Sequence, residues 1–300
     1  MLRSPTSYGL VVAGMAALCL SACAGRAPRR QAPTIPALSA TMSELLDRLS
    51  ALDRQAPWRA RAALRYEERT TGKSHEVDLR LAGRKPSSLR LQGTKTLLPT
   101  LFVLVANDDG MWLDVPSKKK TYHLPGGAEV AATGRSGSLM RLNPEQLLGV
   151  LTPDPPQPDE RWALVEEPLV YVLTAFHQAP DGALRPVREL RFERRALTLA
   201  RIRLFGDRGQ VLSDALLGRR PDGAVLPETV RLERPFSGVI LSFRFSDAVT
   251  AELGDAAFRF RMPAGRELVD VSAAGAALPA GLPGSDEEED DDEAVAEDRS

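Results

Sequence analysis

Cysteine, histidine and aromatic side chains are scarce in this chain of 300 residues: two Cys, three His and 5% Phe, Trp and Tyr. His75, His123 and His177 fall in separate strand-like stretches. No His-x-x-x-His pair or paired-cysteine motif gives the spacing a metal needs. Gly-x-Ser-x-Gly is absent, and Ser136 within Gly134–Ser138 sits in a glycine-rich stretch without the flanks of a nucleophile elbow. Gly126-Gly127 lacks the Gly-Lys-Ser/Thr of a phosphate loop. Carboxylates are plentiful, but none stands on an apolar background as an acid/base pair. The expectation is a protein that is not an enzyme and carries no cofactor. The basic residues alternate along strands and form no block, which argues against nucleic acid. No apolar run reaches the roughly 20 residues a helical membrane span requires.

The shorter apolar run at the start has a meaning of its own. Arg3 is the only charge before it, Tyr8 to Leu20 carries none, and Arg26, Arg29 and Arg30 follow. This is the layout of a secretory signal. Leu20-Ser21-Ala22-Cys23 at its end resembles a bacterial lipobox. Residues 1–22 would then be a lipoprotein signal peptide, with a diacylglycerol and an N-acyl chain on Cys23. Two or more chains, at about 0.8 kcal/mol per buried methylene, hold a protein firmly on a membrane. An uncleaved anchor, or cleavage near Ala22 without lipid, are the alternatives. Ala24 rather than Asp after the cysteine resembles the sorting signal for the outer membrane, facing the periplasm. Cys19 would leave with the signal, so no intramolecular disulfide is expected.

Residues 23–40, rich in Ala, Pro and Arg, read as a flexible tether. Thr41-Met42-Ser43-Glu44 has capping-box spacing, and Met42, Leu45, Leu46, Leu49 and Leu52 follow at helical intervals. From Trp58 the period changes to two: Trp58, Ala60, Ala62, Leu64 and Tyr66 alternate with Arg59, Arg61 and Arg65. Similar stretches recur to Phe258-Arg259-Phe260, separated by Asp-Gly and Pro-Asp-Gly turns. Asn143-Pro144 opens a second short helix with Leu142, Leu147, Leu148 and Leu151 on one side. About eleven strands and two amphipathic helices predict a mainly β fold with some α, a single curved antiparallel sheet whose apolar face the helices cover. A two-sheet sandwich is the alternative. Residues 273–300 read as a disordered acidic tail, with ten carboxylates and one arginine in 286–300, so the remainder of the chain is net positive. Binding of a cation or a basic partner is the sharper reading of that tail.

This order of elements resembles the LolA/LolB superfamily of lipoprotein carriers. The resemblance rests on the helix-then-strand opening at 41–66, on LFVLVANDDGMWLDVPSKKKTYHL at 101–124, and on the closing Phe258–Val269, and spans roughly 41–272. It implies a half-open β-barrel with a helical lid, whose apolar cavity holds acyl chains of lipoproteins or lipids. By alternation, Leu64, Tyr66, Leu79, Leu91, Trp112, Tyr122, Ile202, Leu241 and Phe243 are the acyl-cavity candidates. Alternation alone does not separate a cavity wall from a packed interior. Thr96–Pro99 occupies the place of the apolar loop of LolB-type proteins, or else begins a buried strand. The expected partners are the membrane and acyl chains. An envelope protein is the alternative partner, should the same fold serve as an interaction or sensor module with a closed cavity, as in RseB-type regulators.

Overall fold

A computed structural model describes residues 38–53, 56–69, 71–95, 100–126 and 143–272. Cys23 and the signal, nearly all of the tether, Leu142, Thr96–Pro99, Gly134–Ser138 and the acidic residues from 273 onward lie outside the described residues.

The alternation seen from Trp58 onward becomes a sheet of fourteen strands, rather than about eleven. β1 (Trp58–Glu68), β2 (Ser74–Arg84), β3 (Ser88–Thr94), β4 (Thr100–Asn107), β5 (Gly110–Val115) and β6 (Lys120–Pro125) form one antiparallel meander. β7 (Arg161–Glu166), β8 (Val170–Gln178), β9 (Leu184–Glu193), β10 (Leu199–Phe205), β11 (Val211–Leu217), β12 (Thr229–Arg234) and β13 (Val239–Thr250) form a second. The two join where β13 pairs antiparallel with β1, placing Leu64 opposite Phe243 and Tyr66 opposite Leu241. β14 (Glu267–Asp270) adds parallel to β6 at one edge, and β7 forms the other. The sheet is therefore open.

Fourteen strands laid flat would span about 62 Å at about 4.8 Å per strand. Yet Lys85, just past β2, and Arg188 of β9 both reach Asp154, although six strand spacings separate the two strands. Only a curved sheet brings them together. Its concave face is closed by two helices, α1 (Met42–Leu52) and α2 (Pro144–Leu151). α1 begins in the expected capping box: the Glu44 amide donates to Thr41 Oγ1 (3.3 Å) and the Thr41 amide to Glu44 Oε2 (2.7 Å). Leu45 and Leu49 are 0% exposed, whereas Met42 at the start of the same stripe is 38% exposed. Asn143 caps α2 through the Gln146 amide (3.0 Å), and Leu147, Leu148, Val150 and Leu151 are buried.

Three segments differ from the sequence reading. β7 is an edge strand whose half-buried Trp162 and Leu164 alternate with exposed residues, behind a proline-rich stretch that masks its start. β14 is four residues long and mostly exposed, so it lacks an apolar signature. Phe258-Arg259-Phe260, expected as a final strand, is not one: Phe258 ends a 3-10 turn (Asp255–Phe258), and the chain beyond it runs irregularly to β14. Two phenylalanines at spacing two imitate a strand while serving different contacts.

Candidate functional site: an apolar sheet face under two helices

The strand register brings together eight of the nine candidate residues. Leu64, Tyr66, Leu79, Leu91, Tyr122, Ile202, Leu241 and Phe243 are each 1–6% exposed and lie in one continuous cluster with both helices. Leu81 faces Leu91 across β2 and β3, Tyr122 faces Leu113 across β5 and β6, and Ile202 faces Ala215 across β10 and β11. Burial, with the nearby Glu68 charge adding to it, pushes the Tyr66 phenol well above its ordinary pKa. The surface is neutral and apolar.

Trp112 does not belong to this surface. β5 sends Met111, Leu113 and Val115 into the cluster and turns Trp112 to the convex side. There it stacks on His123 (centroids 4.9 Å apart) and on Phe260 (5.9 Å). Apolar residues occupy both phases of Met111-Trp112-Leu113, so period two could not assign the face. The same convex side carries the segment after β13 as a strap. Phe258 is buried beneath the Arg84 guanidinium (5.0 Å), Asn107 Nδ2 donates to the Phe258 carbonyl (3.0 Å), and Arg266 Nε donates to Asp114 Oδ1 (2.8 Å).

What holds the helices over the apolar face is polar, and no local pattern of residues marks it. Lys85, in the β2–β3 turn, has a side chain only 6% exposed. Its Nζ reaches Asp53 Oδ1 at the end of α1 (2.6 Å) and Asp154 Oδ1 just past α2 (2.8 Å), and donates to the Pro153 carbonyl (3.2 Å). One ammonium thus ties both helix ends to the sheet. Arg220 Nη2 donates to the Leu151 carbonyl (2.9 Å), one of the acceptors a helix end leaves unsatisfied. Arg188 donates to the carbonyls of Asp154 (2.7 Å) and Pro155 (2.9 Å) and pairs with Glu160 (2.6 Å). On the approach to α1, the Tyr171 hydroxyl accepts from the Ala40 amide and donates to the Leu38 carbonyl, each at 3.1 Å. Leu38 to Ala40, inside the span expected as tether, are therefore fixed to β8.

Chemically this face can bury methylenes and little else. Among the described residues, no group of three His, Cys, Asp or Glu side chains is placed to hold a metal ion. Three solved structures are similar to this one at low identity. A LolA superfamily protein of Nitrosomonas europaea is 13% identical, with a TM-score of 0.48, the match covering 74% of this chain and 99% of that one. A DUF1329 family protein of Desulfovibrio piger is 16% identical, with a TM-score of 0.48, covering 72% and 94%. A domain of Vibrio parahaemolyticus named for outer membrane lipoprotein sorting is 12% identical, with a TM-score of 0.45, covering 72% and 94%. At these values no residue role passes from those proteins to this one. No protein-family model and no curated protein matches the chain.

Proposed function

We propose that this chain is a membrane-tethered envelope lipoprotein that binds acyl chains on its concave sheet face, as an acceptor or carrier in outer-membrane lipoprotein or lipid localisation. It performs no catalysis. The observation that carries the reading is that two short helices cover the apolar face. Leu45, Leu49, Leu147, Leu148, Val150 and Leu151 are the buried apolar side chains the two helices lay on the face. At about 1.5–3 kcal/mol each they contribute on the order of 9–18 kcal/mol of gross apolar burial. An acyl chain of about sixteen carbons, at about 0.8 kcal/mol per methylene, offers about 13 kcal/mol on the same surface. Exchanging helix for acyl chain is near balance, so polar ties such as Lys85 decide how readily the lid gives way. The lipobox-like Leu20–Cys23 supports placing such a face at a membrane.

A second reading is favoured by the packing itself. With eight candidate residues in a filled core, the same fold would serve as a closed interaction or sensor module for an envelope protein. Titration of the purified full chain with a fluorescent fatty acid separates the two. Saturable one-to-one binding, lost in Leu79→Asp while the circular dichroism spectrum is kept, supports the carrier reading. A stoichiometric protein partner recovered without bound lipid supports the second. If Leu79→Asp unfolds the domain, Ile202→Ala, a smaller change on the same face, carries the comparison.

A further inference from the structure

Between the strap and the convex face of β1–β4 lies a groove of about 1170 Å³, walled by six arginines: Arg59, Arg61, Arg80, Arg90, Arg259 and Arg261. Strand register builds it. Arg61 stands directly opposite Arg80, and Arg59 and Arg90 flank the small Ala82 in the next row. Like charges directly opposite one another destabilise a sheet. Elsewhere on this face several arginines have an opposite charge beside them: Arg65 stands opposite Glu76, and in the other meander Arg201 and Arg203 both bind Asp214, with Arg203 also reaching Glu189. Among the described residues none of the six forms an ion pair, and the one hydrogen bond of this set runs from Arg90 to the Ala257 carbonyl at 3.5 Å. Of the two carboxylates in the lining, Asp114 is already taken by Arg266 and Thr121, which leaves Asp247 facing six guanidiniums. The groove is a built site for a polyanion, on the opposite side of the sheet from the acyl face.

We propose that its occupant is the chain's own acidic segment, Asp286 to Asp298. Eight consecutive carboxylates, Asp286 to Glu293, supply the charge the groove lacks. The segment follows the strap that forms the groove wall. β14, beside β6, lies five strand spacings from β2, or about 24 Å. Thirteen residues, 273–285, separate the last described residue from the acidic segment, and a coil of that length has a root-mean-square reach of about 20 Å. Reach and span are of similar size, the condition under which a tethered ligand attains an effective concentration in the millimolar range. Exposed charges are screened by salt, so the contact is strong at low ionic strength and lost at high.

Modification of the purified full chain with phenylglyoxal, read residue by residue through peptide mass spectrometry, tests this. The comparison is a full-length variant whose carboxylates from Asp286 to Glu293 are replaced by their amides. With a millimolar effective concentration and an affinity of about 0.1 mM, Arg61, Arg80 and Arg259 should react about tenfold more slowly in the natural chain than in the variant at low salt. Molar salt should erase the difference. Arg244, exposed on β13 and outside the groove, should react alike in both. Equal rates at Arg61 and Arg80 in the two proteins would overturn the proposal. So would protection that persists in the amide variant, because a separate anion such as a lipid phosphate would then hold the site.

Discussion

Replacing Lys85 with methionine keeps the apolar stem and removes the ammonium that ties both helices down. Asp53 is then left 15% exposed without this partner, while Asp154, 53% exposed, can turn to water. Breaking a buried ion pair costs about 3–5 kcal/mol, whereas pairs at the surface are worth about 0–1 kcal/mol. A site with one sheltered and one wet carboxylate falls between, at about 2–3 kcal/mol. For a domain of this size that lowers Tm by about 5–10 °C. The effect on ligand should run the other way. If α1 and α2 must lift to admit an acyl chain, Lys85→Met should speed association of a fluorescent fatty acid several-fold in stopped-flow mixing. The stability reasoning is falsified if Tm does not move. A lower Tm with an unchanged association rate would show that the helices are fixed core and not a lid.

Within α1, Leu49→Ala should cost about 2–5 kcal/mol in urea unfolding, because Leu49 is fully buried against the sheet. Met42→Ala, on the same stripe but exposed, should stay within about 0.5 kcal/mol. Gly93→Ala places a methyl group against the ring of Phe102, its cross-strand partner and a fully buried residue, and should destabilise by about 1–3 kcal/mol. Burial opposes ionisation of Asp214, but hydrogen bonds from Arg201 and Arg203 outweigh it and hold the carboxyl below its ordinary pKa. That stabilisation is complete above the unfolded value of about 3.9 and is lost as pH falls through the lowered folded value. Asp214→Asn should therefore cost about 1.5–3 kcal/mol at pH 7, with the gap to the natural protein closing only below about pH 3.9 in urea unfolding across that range. A gap independent of pH would show that the charge is not what stabilises the site.

How much could be read in advance depends on whether the signal is local. The capping box at Thr41 and Glu44, the Asn143 cap and the alternation in β1 and β2 each lie within a few residues, and each forms as expected. The face of a strand is legible only when one phase is polar. Arg59, Arg61 and Arg65 fix β1, whereas Trp112 sits between two apolar neighbours and has no legible phase. β7 and β14 carry little apolar signal because edge strands bury little. The ties that position the lid join residues far apart in the chain, Lys85 with Asp53 and Asp154 and Tyr171 with Leu38 and Ala40. The groove likewise needs β1, β2, β3 and the strap together. In the sequence its arginines look like an ordinary solvated strand face, and only register shows that Arg61 meets Arg80 rather than a carboxylate.

The most direct test of the central reading is native mass spectrometry of the full chain purified from its own membrane in mild detergent, followed by lipid extraction. The account predicts a covalent acyl mass on the peptide that begins at Cys23, together with a separate, non-covalent acyl species at one per chain. That second species should fall away in Leu79→Asp. A chain without a non-covalent acyl ligand, which also fails to take up a fatty acid in the Lys85→Met variant, would contradict it.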